Sequence, residues 1–138
     1  MATWVDQFVS ALPYARALGI ELISQDPRGH CVLRLPWRED LVGDPASGVL
    51  HGGVITGLLD TLGAAVVLAR KIPLQATLDL RIDYLRAAAP RVDLLGDAEC
   101  YRVTRHVAFV RGFCHQGDPL RPVANLTAAF ILREEEKP

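Results

Sequence analysis

Residues 53–70 form a segment that is helical in composition and apolar on almost every side. Leu and Ala dominate it, and Arg70-Lys71 closes it ahead of Pro73, so a helix is predicted over 53–70. A helix with so little polar surface must be wrapped by other structure. Its one narrow face of small residues carries Gly53, Thr56, Gly57, Asp60, Gly63 and Ala64. Thr56, Asp60 and Thr61 interrupt the apolar run over 54–69, which falls short of a membrane-spanning segment on this reading.

The wrapping material follows at once. Leu74, Ala76, Leu78, Leu80, Ile82 and Tyr84 alternate with Gln75, Thr77, Asp79, Arg81 and Asp83, the period-two signature of a strand. Further strands are expected at about 91–103, 106–115 and 121–132, with turn residues Ala89-Pro90 and Gln116-Gly117-Asp118-Pro119 in the links. Upstream, two short strands are expected near 20–24 and 30–35, around a turn at Asp26-Pro27-Arg28-Gly29. Short links favour antiparallel pairing. Thr3 followed by Asp6 reads as a capping box, opening an N-terminal helix at about 3–16. The last residues, about 133–138, are expected to fray. The fold class is therefore α+β: one domain over 1–138, an antiparallel sheet of five to six strands wrapped around a central apolar helix.

Composition narrows the function. At 138 residues, half of them hydrophobic and 22% charged, the chain can bury a real core and is not a disordered one. A net charge of −1 with dispersed arginines gives no electrostatic case for nucleic acid or an anionic membrane. Cys31, Cys100 and Cys114 are odd in number, lack a CxxC spacing and lie in apolar stretches, so they read as buried free thiols of a reducing compartment. The first residues lack a basic region followed by an unbroken apolar one, so a cytoplasmic protein is expected.

No GxSxG, HExxH, P-loop or GxGxxG motif is present, and the four histidines and three cysteines lack metal-ligand spacing. Chemistry must then use a carboxylate, backbone donors and water. Asp60 is the outlier, because a carboxylate within a core helix is costly unless it is paired, hydrogen-bonded or open to a cavity. The plain reading is a structural bond to a neighbouring group; the functional one is that Gly57 and Gly63 clear bulk around it. His51-Gly52-Gly53 opens the same helix. Read plainly it is a helix-start turn, yet its first-turn N–H groups sit at the positive end of the helix dipole and suit an oxyanion. Nine positions separate His51 from Asp60, roughly 12 Å of helix, so they cannot meet within one chain. If both serve one reaction, two copies must share the site across a two-fold interface.

Gly48-Val49-Leu50-His51-Gly52-Gly53-Val54-Ile55-Thr56-Gly57-Leu58-Leu59-Asp60-Thr61, followed by Ala76-Thr77-Leu78-Asp79-Leu80-Arg81-Ile82-Asp83-Tyr84-Leu85-Arg86, resembles the hotdog-fold acyl-CoA thioesterases of the phenylacetyl-CoA (PaaI-like) type, over about residues 15–132. The resemblance implies that Asp60 is the general base or nucleophile, and that the Gly52 N–H polarises the thioester carbonyl. It implies that His51 positions the thioester and that Thr77 holds the water or the carboxylate. Gly53, Asp44 and Gly48 would border the substrate. Members of that family are commonly dimers or dimers of dimers, bind CoA at the subunit surface, and need neither metal nor cofactor. Many carry Asn in the loop before His-Gly-Gly, where this chain has Asp44, which lacks an amide donor and also suits a turn before Pro45. Hydrolysis of acyl-CoA is thus the expected activity; a non-catalytic acyl-CoA-binding module and a hotdog enoyl-CoA hydratase are the alternatives. His30, His106 and His115 read as structural.

Overall fold

Thr3 caps the first helix, α1 (Trp4–Ala11): its hydroxyl accepts from the Asp6 N–H at 3.1 Å, and the Asp6 carboxylate accepts from the Thr3 N–H at 2.9 Å. The computed structural model of the chain describes residues 2–134, so Arg133 and Glu134 are the last residues seen, and the remainder of the expected frayed end, 135–138, lies outside the described residues. The single helix expected at 3–16 is in fact two. Proline disfavours helical geometry in the residue before it, and Leu12 is extended (φ −67, ψ 115). Pro13 then opens α2 (Pro13–Leu18) at the position where its missing N–H costs nothing. Gly19, at φ 76, closes α2 in the left-handed region.

Two strands follow, β1 (Glu21–Asp26) and β2 (His30–Leu35), joined by the expected turn. The long central helix, α3 (Gly52–Ala69), is one turn-residue out of register with its expected limits. After it come β3 (Leu74–Tyr84), β4 (Leu94–Val103), β5 (Val107–His115) and β6 (Ala124–Leu132). Arg91, at φ 60, is in the left-handed region and outside strand geometry, and β4 begins three residues after its expected start. All pairings are antiparallel, in the order β1-β2-β4-β5-β6-β3. β3 is therefore an edge strand, although it follows α3 directly.

The sheet curls around α3, which touches all six strands and both N-terminal helices. Leu58, Leu59, Leu62, Val66 and Val67 are fully buried against Leu33, Leu35, Leu94, Val110 and Leu126 in the same core. At Gly96 on β4 the helix comes so close that a Cβ would stand 2.9 Å from Leu62 Cδ2. By length and composition α3 does reach the requirements of a membrane span, with a mean hydropathy of 1.7 over 18 residues, but 72% of it is buried inside this fold. The wrapping that its apolar circumference demanded is supplied by the chain's own sheet.

Candidate active site

Asp60 lies half-buried on α3 and is hydrogen-bonded: the Thr77 hydroxyl donates to its Oδ1 at 2.9 Å. Plain alternation along β3 points Thr77 away from the helix, together with Gln75 and Asp79. A β-bulge reverses this. Thr77 pairs with Phe130 and Asp79 with Ala129, leaving Leu78 as the extra residue. Phe130 is buried on the helix-facing side, so Thr77 shares that side and reaches Asp60. Leu78 is left exposed at the sheet edge. No hydrogen bond from the described residues reaches Asp60 Oδ2.

The glycines flanking Asp60 do not open space for a ligand. A Cβ at Gly63 would stand 2.7 Å from Phe130 Cζ, and one at Gly57 would stand 2.6 Å from the Tyr14 hydroxyl and 3.0 Å from Leu18 Cδ1. Both are close-packing sites, one beneath the sheet and one beneath α2. The expectation that they clear the carboxylate's surroundings is overturned by these contacts.

At the other end of the helix, His51 is the N-cap of α3. Its Nδ1 accepts from the Gly53 N–H at 2.8 Å, so a neutral ring carries its proton on Nε2. A Cβ at position 53 would meet Nδ1 at 2.9 Å, so glycine there lets the ring lie across the backbone in this position. The Gly52 N–H donates to none of the described residues. Of the first-turn donors, it is the one left for an oxyanion.

The sequence marks Tyr84 only as an apolar residue in the alternation of β3. Its hydroxyl donates to the Gly52 carbonyl at 3.0 Å and also bonds Thr56 Oγ1. An open recess of about 300 Å³ lies beside Gly52, with Leu50, Ile55, Tyr84, Leu85 and Arg86 in its wall. Asp60 is not part of that wall, and α3 runs unbroken between the two. One chain thus holds the carboxylate pair and the helix-start donor at separate places, about 12 Å apart along the helix axis.

The loop before His51 is bound up in itself. Asp44 accepts from the Ser47 hydroxyl at 2.8 Å and from the Ala46 N–H at 3.1 Å, and these bonds hold its carboxyl below the ordinary carboxylate value. Gly48, at φ 78, closes the turn by donating to the Asp44 carbonyl at 2.8 Å, while its own carbonyl accepts from Trp37 Nε1 at 3.0 Å. Asp44 is the turn residue that its place before Pro45 suggested.

Two of the three remaining histidines have side-chain partners, and His106 engages the described residues only through its backbone carbonyl, which accepts from the Leu132 N–H. His30 Nε2 lies 2.7 Å from Asp97 Oδ1, and His115 Nδ1 accepts from the Gly117 N–H at 3.0 Å. Burial pushes the Cys31 thiol up to about 12 and the Cys114 thiol up to about 11. Among the described residues, no three His, Cys, Asp or Glu side chains gather as a metal site requires.

Comparison with known proteins bears on this geometry. Residues 47–123 match the family model described as the thioesterase superfamily. The chain is 29% identical over 142 residues to the medium/long-chain acyl-CoA thioesterase YigI of Salmonella typhimurium, covering 92% of this chain and 90% of that protein. A crystal structure of a Pseudomonas aeruginosa protein superposes with a TM-score of 0.82 at 43% identity, over 92% of this chain and 95% of the other. A variant of the phenylacetic acid degradation protein PaaI from Thermus thermophilus superposes with a TM-score of 0.76 at 26% identity, over 86% and 97% of the two chains.

Proposed function

The chain belongs to the thioesterase superfamily and has its hotdog fold, and on that premise we propose that it hydrolyses acyl-CoA thioesters at a site shared by two copies of itself. The observation that carries this reading is the half-buried Asp60 carboxylate, held through one oxygen by Thr77 while no described residue bonds the other. The free oxygen takes a proton from water as the water oxygen bonds to the thioester carbon. Negative charge then develops on the carbonyl oxygen, where the Gly52 N–H and the positive end of α3 stabilise it. Collapse breaks the C–S bond, the CoA sulfur takes up the proton, and the free acid is released. His51 flanks the carbonyl, with its ring fixed across Gly53.

Two copies are required because α3 separates the carboxylate from its own donors. The free edge of β3 supports a way to bring them together. Leu78 and Tyr84 are each 53% exposed on this strand, an apolar edge of the kind that recruits another strand. A two-fold pairing of β3 edges centred near Arg81 sets Thr77 of one copy opposite Tyr84 of the other. The bulge at Leu78 keeps both side chains on the helix-facing side of such a pair. Asp60 of one copy then approaches Gly52 of the other.

The name of YigI makes medium- and long-chain acyl-CoA esters the first substrates to assay. Asp60→Asn is expected to abolish thiol release while leaving the fold intact. Undiminished hydrolysis by Asp60→Ala would remove the mechanism. In single turnover in heavy-oxygen water, label found in Asp60 identifies a direct nucleophile whose mixed anhydride is opened at the Asp60 carbonyl, which a base mechanism cannot produce. The engagement of Asp44 in its own turn favours a second reading, acyl-CoA binding without turnover. Calorimetric binding of acyl-CoA with no thiol released would establish that alternative.

A further inference from the structure

Tyr84 ends β3 half in solvent, yet its hydroxyl is fully engaged. It donates to the Gly52 carbonyl at 3.0 Å and accepts from the Thr56 hydroxyl, whose Oγ1 lies 3.3 Å from the same carbonyl. The ring also lies over Gly52, so that a Cβ built there would stand 3.5 Å from Tyr84 Cε1. Strand and helix thus close on a single carbonyl. It belongs to the residue that most needs restraint: Gly52 begins α3 and is followed by Gly53, so neither has a side chain to limit its backbone. His51 engages the N–H of Gly53 and leaves that of Gly52 unheld.

We propose that Tyr84, assisted by Thr56, is a positioning residue for the Gly52 N–H. The inference rests on the hydrolase reading and extends it to a residue that touches none of the reacting atoms. Holding the Gly52 carbonyl restrains the 52–53 peptide, and with His51 anchored on the Gly53 N–H this limits the swing of the intervening 51–52 peptide that carries the Gly52 N–H. A donor aimed in advance at the developing oxyanion stabilises the transition state more than the bound thioester, so loosening it lowers kcat with little effect on KM. β3 then serves both halves of the chemistry, with Thr77 holding the carboxylate and Tyr84 holding the donor.

Tyr84→Phe removes the hydroxyl and keeps the ring. The expected result is a kcat about three- to tenfold lower with KM changed by less than about twofold, in line with the loss of one hydrogen bond that acts through another group. The order of the Gly52 amide, followed by NMR nitrogen-15 relaxation, should fall in the variant. Thr56→Val should give a smaller loss of the same kind, and adding it to Tyr84→Phe should cost less than the two single losses combined. Unchanged kcat in Tyr84→Phe would overturn the proposal, and so would a fall in kcat with unchanged Gly52 amide order. A fall in Gly52 amide order in a protein whose wild type hydrolyses no acyl-CoA would instead overturn the hydrolase reading and leave the clamp on Gly52 standing.

Discussion

Replacing Gly63 by alanine tests the packing of α3 against the sheet. Alanine is favoured over glycine inside a helix by about 1 kcal/mol, so propensity alone predicts stabilisation. The surroundings oppose it. The new Cβ would stand 2.7 Å from Phe130 Cζ and 2.9 Å from Cε2. Relaxed carbon contacts lie at about 3.5–4.0 Å, so the ring must retreat by roughly 1 Å. Phe130 is 1% exposed and has no solvent to move into. Overpacking of this kind costs about 1–3 kcal/mol, which leaves a net loss of about 1 kcal/mol. In urea that lowers the unfolding midpoint by roughly 0.5 M at unchanged slope. Gly57→Ala is the milder comparison. Its Cβ would meet the Tyr14 hydroxyl at 2.6 Å and buried Leu18 Cδ1 at 3.0 Å. Tyr14 is 53% exposed and can swing outward, and Leu18 need give only a few tenths of an ångström, so a smaller loss than at Gly63 is expected. Both variants are unfolded at one protein concentration, because association raises apparent stability. A midpoint for Gly63→Ala at or above that of wild type would refute the reasoning.

Thr77→Val should lower kcat about tenfold through loss of the bond to Asp60, while Thr77→Ser retains most activity; thiol release measures both. Arg81→Cys should form a disulfide-linked dimer under mild oxidation, seen on a non-reducing gel, and a wholly monomeric product would refute pairing centred there. The native thiols, all three buried and pushed upward by that burial, should not react with a thiol dye at pH 8 until the protein unfolds. The dye therefore reports released CoA. Arg28 holds Asp26 at about 2, below the ordinary 3.8, chiefly through its side-chain hydrogen bonds. The folded value is the lower one, so this pair's contribution to stability is complete above the ordinary value and is lost as pH falls toward about 2. Arg28→Ala should return the Asp26 titration, followed by NMR, toward the ordinary value.

The elements were legible because their causes are local. The apolar circumference of α3, the alternation along β3 and the turn chemistry at Asp26-Pro27-Arg28-Gly29 each belong to one stretch of chain. Asp60 stood out for the same reason, as a carboxylate set among leucines. What escaped depends on residues far away in sequence. The bulge that turns Thr77 toward Asp60 is set by pairing with Phe130 and Ala129, and alternation within β3 gives no sign of it. The role of Gly63 depends on Phe130, and that of Tyr84 on Gly52, thirty-two residues upstream. The break after α1 was within reach, since Pro13 alone demands it once the restriction on Leu12 is weighed.

An unbroken α3 has a consequence for control. A stiff rod keeps its landmarks at constant spacing, so no flexing of a lone protomer can draw Asp60 toward its own Gly52. On the two-copy reading, what governs turnover is how often protomers meet, and scarcity of the protein silences it as surely as an inhibitor.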